Sequence, residues 1–171
     1  MRTALLSSTI AMLAVVVLTS ATAHAQATRT WVSGVGDDAN PCSRTAPCKT
    51  FAGAISKTAI NGEINCLDPG GFGAVTITKS ITIDCHEVYA SILASGTNAI
   101  VISIAPGNPS DPLQTVRIRN LNLNGTGGGT RSGLNGIRIL QAQMVFIEDV
   151  LATDFVQRGI SDERNVDGRL N

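Results

Sequence analysis

The sequence predicts an all-β fold, a parallel β-helix of about four coils with a helix capping its first coil. Three observations carry this reading: a composition suited to strands and turns, two interleaved series of short period-two repeats, and one amphipathic stretch just ahead of the first repeat. Of 171 residues, 43% are hydrophobic but only 4% aromatic, so the core must be built from Ile, Val, Leu and Ala, and 17 glycines provide for many turns. Charge is balanced, 13 Lys+Arg against 13 Asp+Glu. That balance lacks the basic footprint of a nucleic-acid binder, so no nucleic acid is expected as a partner. With only 15% charged residues the chain is not a disordered polyelectrolyte either.

Residues 1–25 read as an export signal. Arg2 supplies a short positive region, residues 4–18 form an uncharged and mostly apolar run, and Ala23-His24-Ala25 is a small-x-small cleavage site ahead of Gln26. The run is shorter than the roughly 20 residues of a membrane-spanning helix, and no positive cluster follows it. The alternative is an uncleaved anchor. Cleavage leaves 146 residues, a single histidine (His86) and a net charge of −1, with no later segment able to span a bilayer. The expected location is secreted or periplasmic. The expected organisation is a signal at 1–25, a lead-in segment with the capping helix at 26–61, and the coils at 62–171.

The repeats define the strands. Gly62-Glu63-Ile64-Asn65-Cys66, Ile81-Thr82-Ile83-Asp84-Cys85, Val116-Arg117-Ile118-Arg119-Asn120 and Val145-Phe146-Ile147-Glu148-Asp149 align, and the last three read apolar-x-apolar-x-polar. A period of two gives each a strand with one buried face. A second series follows each: Ala74-Val75-Thr76-Ile77, Ala99-Ile100-Val101-Ile102, Gly136-Ile137-Arg138-Ile139 and Gly159-Ile160-Ser161-Asp162. A weaker third strand is expected around 88–93, 121–123 and 150–152. The first series recurs after 19, 35 and 29 residues, which suits a coil of strands whose extra residues sit in loops, here 105–113 and 126–135. A β-sandwich, the alternative, gives no reason for two interleaved signatures. The stretch at 49–58 is read with Phe51, Ala54, Ile55 and Ala59 on one helical face; this helix, begun by Thr50 or Lys49 and stopped by Asn61-Gly62, should cap the N-terminal mouth, with Phe51 and Ile55 as plugs.

Four cysteines remain after export: Cys42, Cys48, Cys66 and Cys85. An even number in an exported chain indicates two disulfides, with three pairings open. Their spacings of 5, 17 and 18 intervening residues, with one histidine, do not suit a zinc site. The register of the repeats decides between pairings. Cys66 and Cys85 hold the same position on successive coils, where α-carbons about 4.8 Å apart meet disulfide geometry. Cys42 and Cys48 bracket a short loop ahead of the helix.

The stretch from Trp31 to Cys42 (WVSGVGDDANPC), then Pro47-Cys48-Lys49-Thr50-Phe51 and Ala54-Ile55, resembles the first segment of bacterial secreted right-handed β-helix proteins of the pectin-lyase-like superfamily. The resemblance extends over about residues 30–163 and implies a right-handed coil; it does not imply one activity. A hydrolase of that superfamily would need a Gly-His-Gly segment, which is missing. A lyase would need an arginine base, for which Arg117, Arg119 and Arg138 qualify, and an acidic calcium cluster, for which Asp84, Glu148 and Asp149 are the only acids on the coil wall. Calcium is thus the one cofactor left open, there or near Asp37, Asp38 and Asp68. In the proposed register Asp84, Arg119 and Glu148 form one outer column and Thr82, Arg117 and Phe146 the next. A minus-plus-minus ladder of exposed pairs is self-satisfied, which favours a structural wall over a catalytic one.

The expected function is accordingly a structural or binding role, without catalysis, toward a polysaccharide or cell-surface component. The alternatives are a lyase or hydrolase of acidic polysaccharide acting along the wall, and a shortened remnant without a function of its own. After Ile160 the sequence carries no amphipathic period to close the last coil, so self-association through an open C-terminal coil is expected.

Overall fold

Each period-two stretch becomes a strand because its Ile, Val and Leu positions bury one face while the intervening polar positions stay wet. The computed structural model describes residues 26–127 and 131–164. Its elements are β1 (Ala27–Val32), α1 (Phe51–Lys57), β2 (Thr58–Cys66), β3 (Gly70–Gly71), β4 (Val75–Ile77), β5 (Ile81–Asp84), β6 (Ala90–Leu93), β7 (Ile100–Ser103), β8 (Thr115–Asn124), β9 (Asn135–Gln141), β10 (Met144–Thr153) and β11 (Arg158–Asp162). The export signal expected at 1–25 lies outside the described residues, as do residues 165–171.

All strand pairings are parallel. Sheet 1 runs β1-β2-β5-β8-β6-β3 with β10 added to β8, and sheet 2 runs β11-β9-β7-β4. The register of the repeats is the one read from the sequence: Ile64 pairs with Ile83, Ile83 with Ile118, and Ile118 with Ile147. In sheet 2, Val75 pairs with Ile100, Ile100 with Ile137, and Ile137 with Ile160. Ile64, Ile83, Ile118, Ile100 and Ile137 are fully buried between the sheets.

The expected all-β, right-handed parallel β-helix of about four coils is not what this arrangement makes. The structure is mixed, two parallel sheets with the larger curled into a half-barrel, and one short helix. The strands at 116–120 and 121–123, read as separate walls, are one ten-residue strand, β8, and those at 145–149 and 150–152 are likewise one strand, β10. Asn120 (φ 57°) and Asp149 (φ 52°) make this continuity possible. Each takes the left-handed conformation that Asn and Asp tolerate, bending the strand and shifting the buried alternation by one residue. Val116 and Ile118 are buried before the bend, Leu121 and Leu123 after it. The first half of β8 then pairs with β5 and its second half with β6, so the first and third walls merge into one curled sheet.

In the second series a small first residue is a steric requirement at Gly136 but not at Gly159, where an added Cβ would meet only ordinary contacts. A Cβ on Gly136 would lie 2.4 Å from the Gly159 carbonyl oxygen.

Helix α1 is shorter than expected. Thr50 caps it, its side chain accepting from the Gly53 N–H at 2.9 Å. It ends at Lys57 because Thr58 is already extended as the start of β2, ahead of the Asn61-Gly62 stop. Phe51 and Ala54 are the buried residues, Phe51 against Phe72 with ring centroids 5.3 Å apart; Ile55 is only half-buried, so it is not the plug the sequence suggested. Asp38 braces the helix start, accepting from the N–H groups of Lys49 (2.8 Å) and Thr50 (2.9 Å) and from the Thr50 hydroxyl (2.7 Å). Burial works to raise its pKa, but these Thr50 and Lys49 hydrogen bonds and the Lys57 charge outweigh it and hold the carboxyl below its ordinary value.

Both disulfides form as the register required, Cys42–Cys48 and Cys66–Cys85, with Cα–Cα distances of 4.6 and 4.8 Å. They accord with an oxidising compartment. No helix among the described residues is long and apolar enough to cross a membrane.

Candidate functional site

The outer columns of sheet 1 stand where the sequence put them. Thr82, Arg117 and Phe146 are in register, and so are Asp84, Arg119 and Glu148. Arg117 lies over the Phe146 ring, 5.0 Å from its centroid. Arg119 Nε is 2.8 Å from Glu148 Oε2, an ion contact without the alignment of a hydrogen bond. The expected three-charge ladder has only this lower rung. Asp84 turns away from Arg119 and accepts from Asn120 Nδ2 at 2.7 Å and from the His86 N–H at 3.1 Å. Arg138, on the outer face of sheet 2, is held by Glu163 through two bonds of 3.0 and 2.7 Å. That pairing draws the Glu163 carboxyl below its ordinary range.

Asp149 sits apart from these pairs, at the bend of β10. It borders a shallow groove of about 350 Å³ with Glu87, Tyr89, Asn120 and Asn122. The structure therefore gathers Arg117, Arg119, Phe146 and Glu148 on one wall and puts Asp84 and Asp149 at the bend. Asp37, Asp38 and Asp68 do not converge: Asp37 accepts from the Ala39 N–H, Asp38 serves α1, and Asp68 accepts from Ser33 Oγ (2.5 Å) and the Gly34 N–H (2.6 Å). Among the described residues no group of three or more His, Cys, Asp and Glu side chains is placed to hold a metal ion.

The β1 edge of sheet 1 and the edge formed by β10 and β11 differ. At the β1 end the disulfide loop covers the edge: Trp31 N–H donates to the Cys42 carbonyl, Cys48 N–H to the Trp31 carbonyl, and Ser33 N–H to the Cys48 carbonyl, at 2.8 to 2.9 Å. Helix α1 packs beside it. At the other end β10 pairs with β8 alone and β11 with β9 alone; no described strand pairs with their outer edges. Core-facing Val145, Ile147, Val150 and Ala152 are only partly buried there, whereas their β8 counterparts Val116, Ile118, Leu121 and Leu123 are buried. Leu151 is 58% and Ile160 48% exposed beside them.

A third feature carried no sequence signal. The loop at 105–113 reads as a surface insertion, yet Asp111 is fully buried. Its carboxylate accepts from the Ser80 N–H (2.6 Å), the Ser80 hydroxyl and the Gln114 N–H (3.3 Å), while Ser80 Oγ accepts from the Thr115 N–H at 2.7 Å. The loop is thereby tied to the entry of both β5 and β8. An acid between Ser110 and Pro112 gave no reason to expect a partner 31 residues away.

No known protein family, no curated protein and no solved structure matches this chain. Nothing in those comparisons identifies the pectin-lyase-like superfamily.

Proposed function

We propose that the protein is an exported, secreted or periplasmic binding module without catalysis of its own, working through the end of the fold formed by β10 and β11. The observation that carries this reading is the asymmetry of the two ends. One edge is closed by a disulfide-pinned loop; the other presents unpaired strand backbone and half-buried core residues, the surface to which an added strand or apolar partner binds. Selection of a random peptide library on the mature protein tests it. Enriched peptides should lose binding to a Leu151→Lys/Ile160→Lys variant that keeps the wild-type melting temperature. Binders indifferent to both substitutions would overturn the reading.

The wall of Arg117, Arg119 and Glu148 supports a second reading, contact with an acidic polysaccharide, because these side chains are partly exposed on the outer face of a parallel sheet. Incubation with acidic polysaccharides, with and without calcium, tests it. An unsaturated-uronate absorbance abolished by Arg119→Ala would establish a lyase and displace the binding module.

A further inference from the structure

We infer that the open edge of β10 is a strand acceptor for an extended polypeptide added in parallel, with the chemistry of this chain's own β8. The ligand has apolar residues toward the core, basic residues opposite Phe146 and Glu148, and an amide opposite Asp149. This deepens the reading of the edge as a binding surface and rests on it.

The argument starts from the columns. In a parallel sheet each residue has neighbours about 4.8 Å away on both sides, so an edge residue is half-complemented and its missing neighbour can be read from the one it has. Phe146 carries the Arg117 guanidinium on one side and remains 40% exposed. Glu148 meets Arg119 on one side, and half of its side chain is exposed. The column through the bend runs Asn120 to Asp149, and Asn120 donates its amide to Asp84 on the preceding strand at 2.7 Å. A strand arriving on the free side of β10 therefore meets an aromatic face, then a carboxylate, then a second carboxylate at a corner. Two cations and an amide donor complement that series. The corner adds a backbone requirement, since the added strand must bend where Asn120 and Asp149 do, and Asn accepts that conformation. Beyond the bend, apolar residues opposite Val150 and Ala152 would close the core, as Leu121 and Leu123 do on the other side.

The sequence that fulfils all of this is Thr115–Asn124 (TVRIRNLNLN), with Arg117, Arg119, Asn120, Leu121 and Leu123 in those places. A second folded copy cannot supply it, because β8 is held between β5 and β10. β10 complements itself only in part: a two-fold antiparallel pairing of Met144–Thr153 over its whole length matches Val145, Phe146 and Ile147 with Ala152, Leu151 and Val150 of the other copy but sets Glu148 opposite Asp149, so a second copy is the competing occupant.

The test uses a fluorescent peptide of residues 115–124 and the mature protein, followed by anisotropy at low salt. Saturable 1:1 binding is expected. The same peptide with Glu at both Arg positions should bind about tenfold more weakly. The Arg119→Glu/Glu148→Lys variant keeps an ion pair within the sheet while reversing the outward charge, and should reverse that preference. Three results would overturn the inference: no saturable binding to a protein with a normal melting transition, equal affinity for the two peptides, or equal affinity for the ten residues in reverse order. A two-copy species that the peptide does not dissociate would overturn it as well. If library peptides map to this edge while the β8 peptide does not bind, the inference falls and the proposed function stands.

Discussion

Replacing Asp111 with Ala should be among the most damaging single changes available outside the apolar core. The carboxylate is fully buried and accepts three hydrogen bonds, two of them from backbone N–H groups. Alanine leaves the Ser80 N–H, the Ser80 hydroxyl and the Gln114 N–H without an acceptor where water does not reach. Each stranded donor costs about 1–3 kcal/mol, and partial relaxation of the loop holds the total to about 3–5 kcal/mol. With a urea m-value of about 2 kcal/mol/M, the unfolding midpoint should fall by about 2 M. Ser80→Ala should cost less, because the Ser80 N–H keeps its acceptor. In a double-mutant cycle, Asp111→Ala and Ser80→Ala should couple by about 1.5–3 kcal/mol, the range for a hydrogen bond to a charged group. Asp37→Ala, at an exposed Asx turn, is the control and should shift the midpoint little. A loss below about 1 kcal/mol for Asp111→Ala, or additivity within about 0.5 kcal/mol, would refute the account of this loop as an anchored element.

The disulfides differ in what they constrain. By chain entropy the 20-residue loop of Cys66–Cys85 contributes roughly 3.3 kcal/mol and the 7-residue loop of Cys42–Cys48 roughly 2.4, so calorimetry should find Cys66→Ser/Cys85→Ser lower in Tm than Cys42→Ser/Cys48→Ser by about 2–4 °C. Hydrogen exchange should show the second pair acting locally, with the Trp31 and Ser33 amides losing protection in Cys42→Ser/Cys48→Ser first. Asp38 should contribute to the acid limb of stability. Its folded pKa lies below the unfolded one, so its contribution is complete above the ordinary Asp range near pH 3.9 and is lost as pH falls through the folded value. A Tm-against-pH profile from 2 to 6 should accordingly be shallower for Asp38→Asn than for wild type.

What the sequence made legible was pairing; what it left open was closure. Period two says which side chains face inward, and the aligned repeats say which residues lie opposite one another. Those two facts were enough to place Cys66 beside Cys85 and Arg117 beside Phe146. Neither fact says how many walls the strands make. That depends on the corners, and a corner can be a loop that separates two strands or a single left-handed residue that lets one strand run through. Asn120 and Asp149 are of the second kind, and a lone Asn or Asp at the end of an alternating stretch reads equally well as the first. The outer ladder shows a similar limit. Register put Asp84 beside Arg119, but side-chain direction at the bend sent Asp84 to Asn120 instead. Asp111 was invisible because its partners are two backbone amides and a serine, which have no pattern along the chain.

A parallel stack of strands always ends in two edges, and how each is treated decides what the molecule can assemble into. Head-to-tail stacking of identical copies needs the last edge of one copy to meet the first edge of the next, and a repeated contact of that kind makes an open filament. Here the β1 edge is occupied from Trp31 to Ser33. The loop closed by Cys42 and Cys48 takes the Trp31 N–H and carbonyl and the Ser33 N–H, and Pro41 and Pro47 bring no N–H of their own to a further strand. The Cys42–Cys48 bond holds that loop in place. Along Trp31–Ser33 the free edge of β10 thus has no counterpart on a second copy, and Glu148 opposite Asp149 weighs against its pairing with itself. Val145, Ile147 and Val150 stay half open at that edge, and a partner that adds once and stops would cover them.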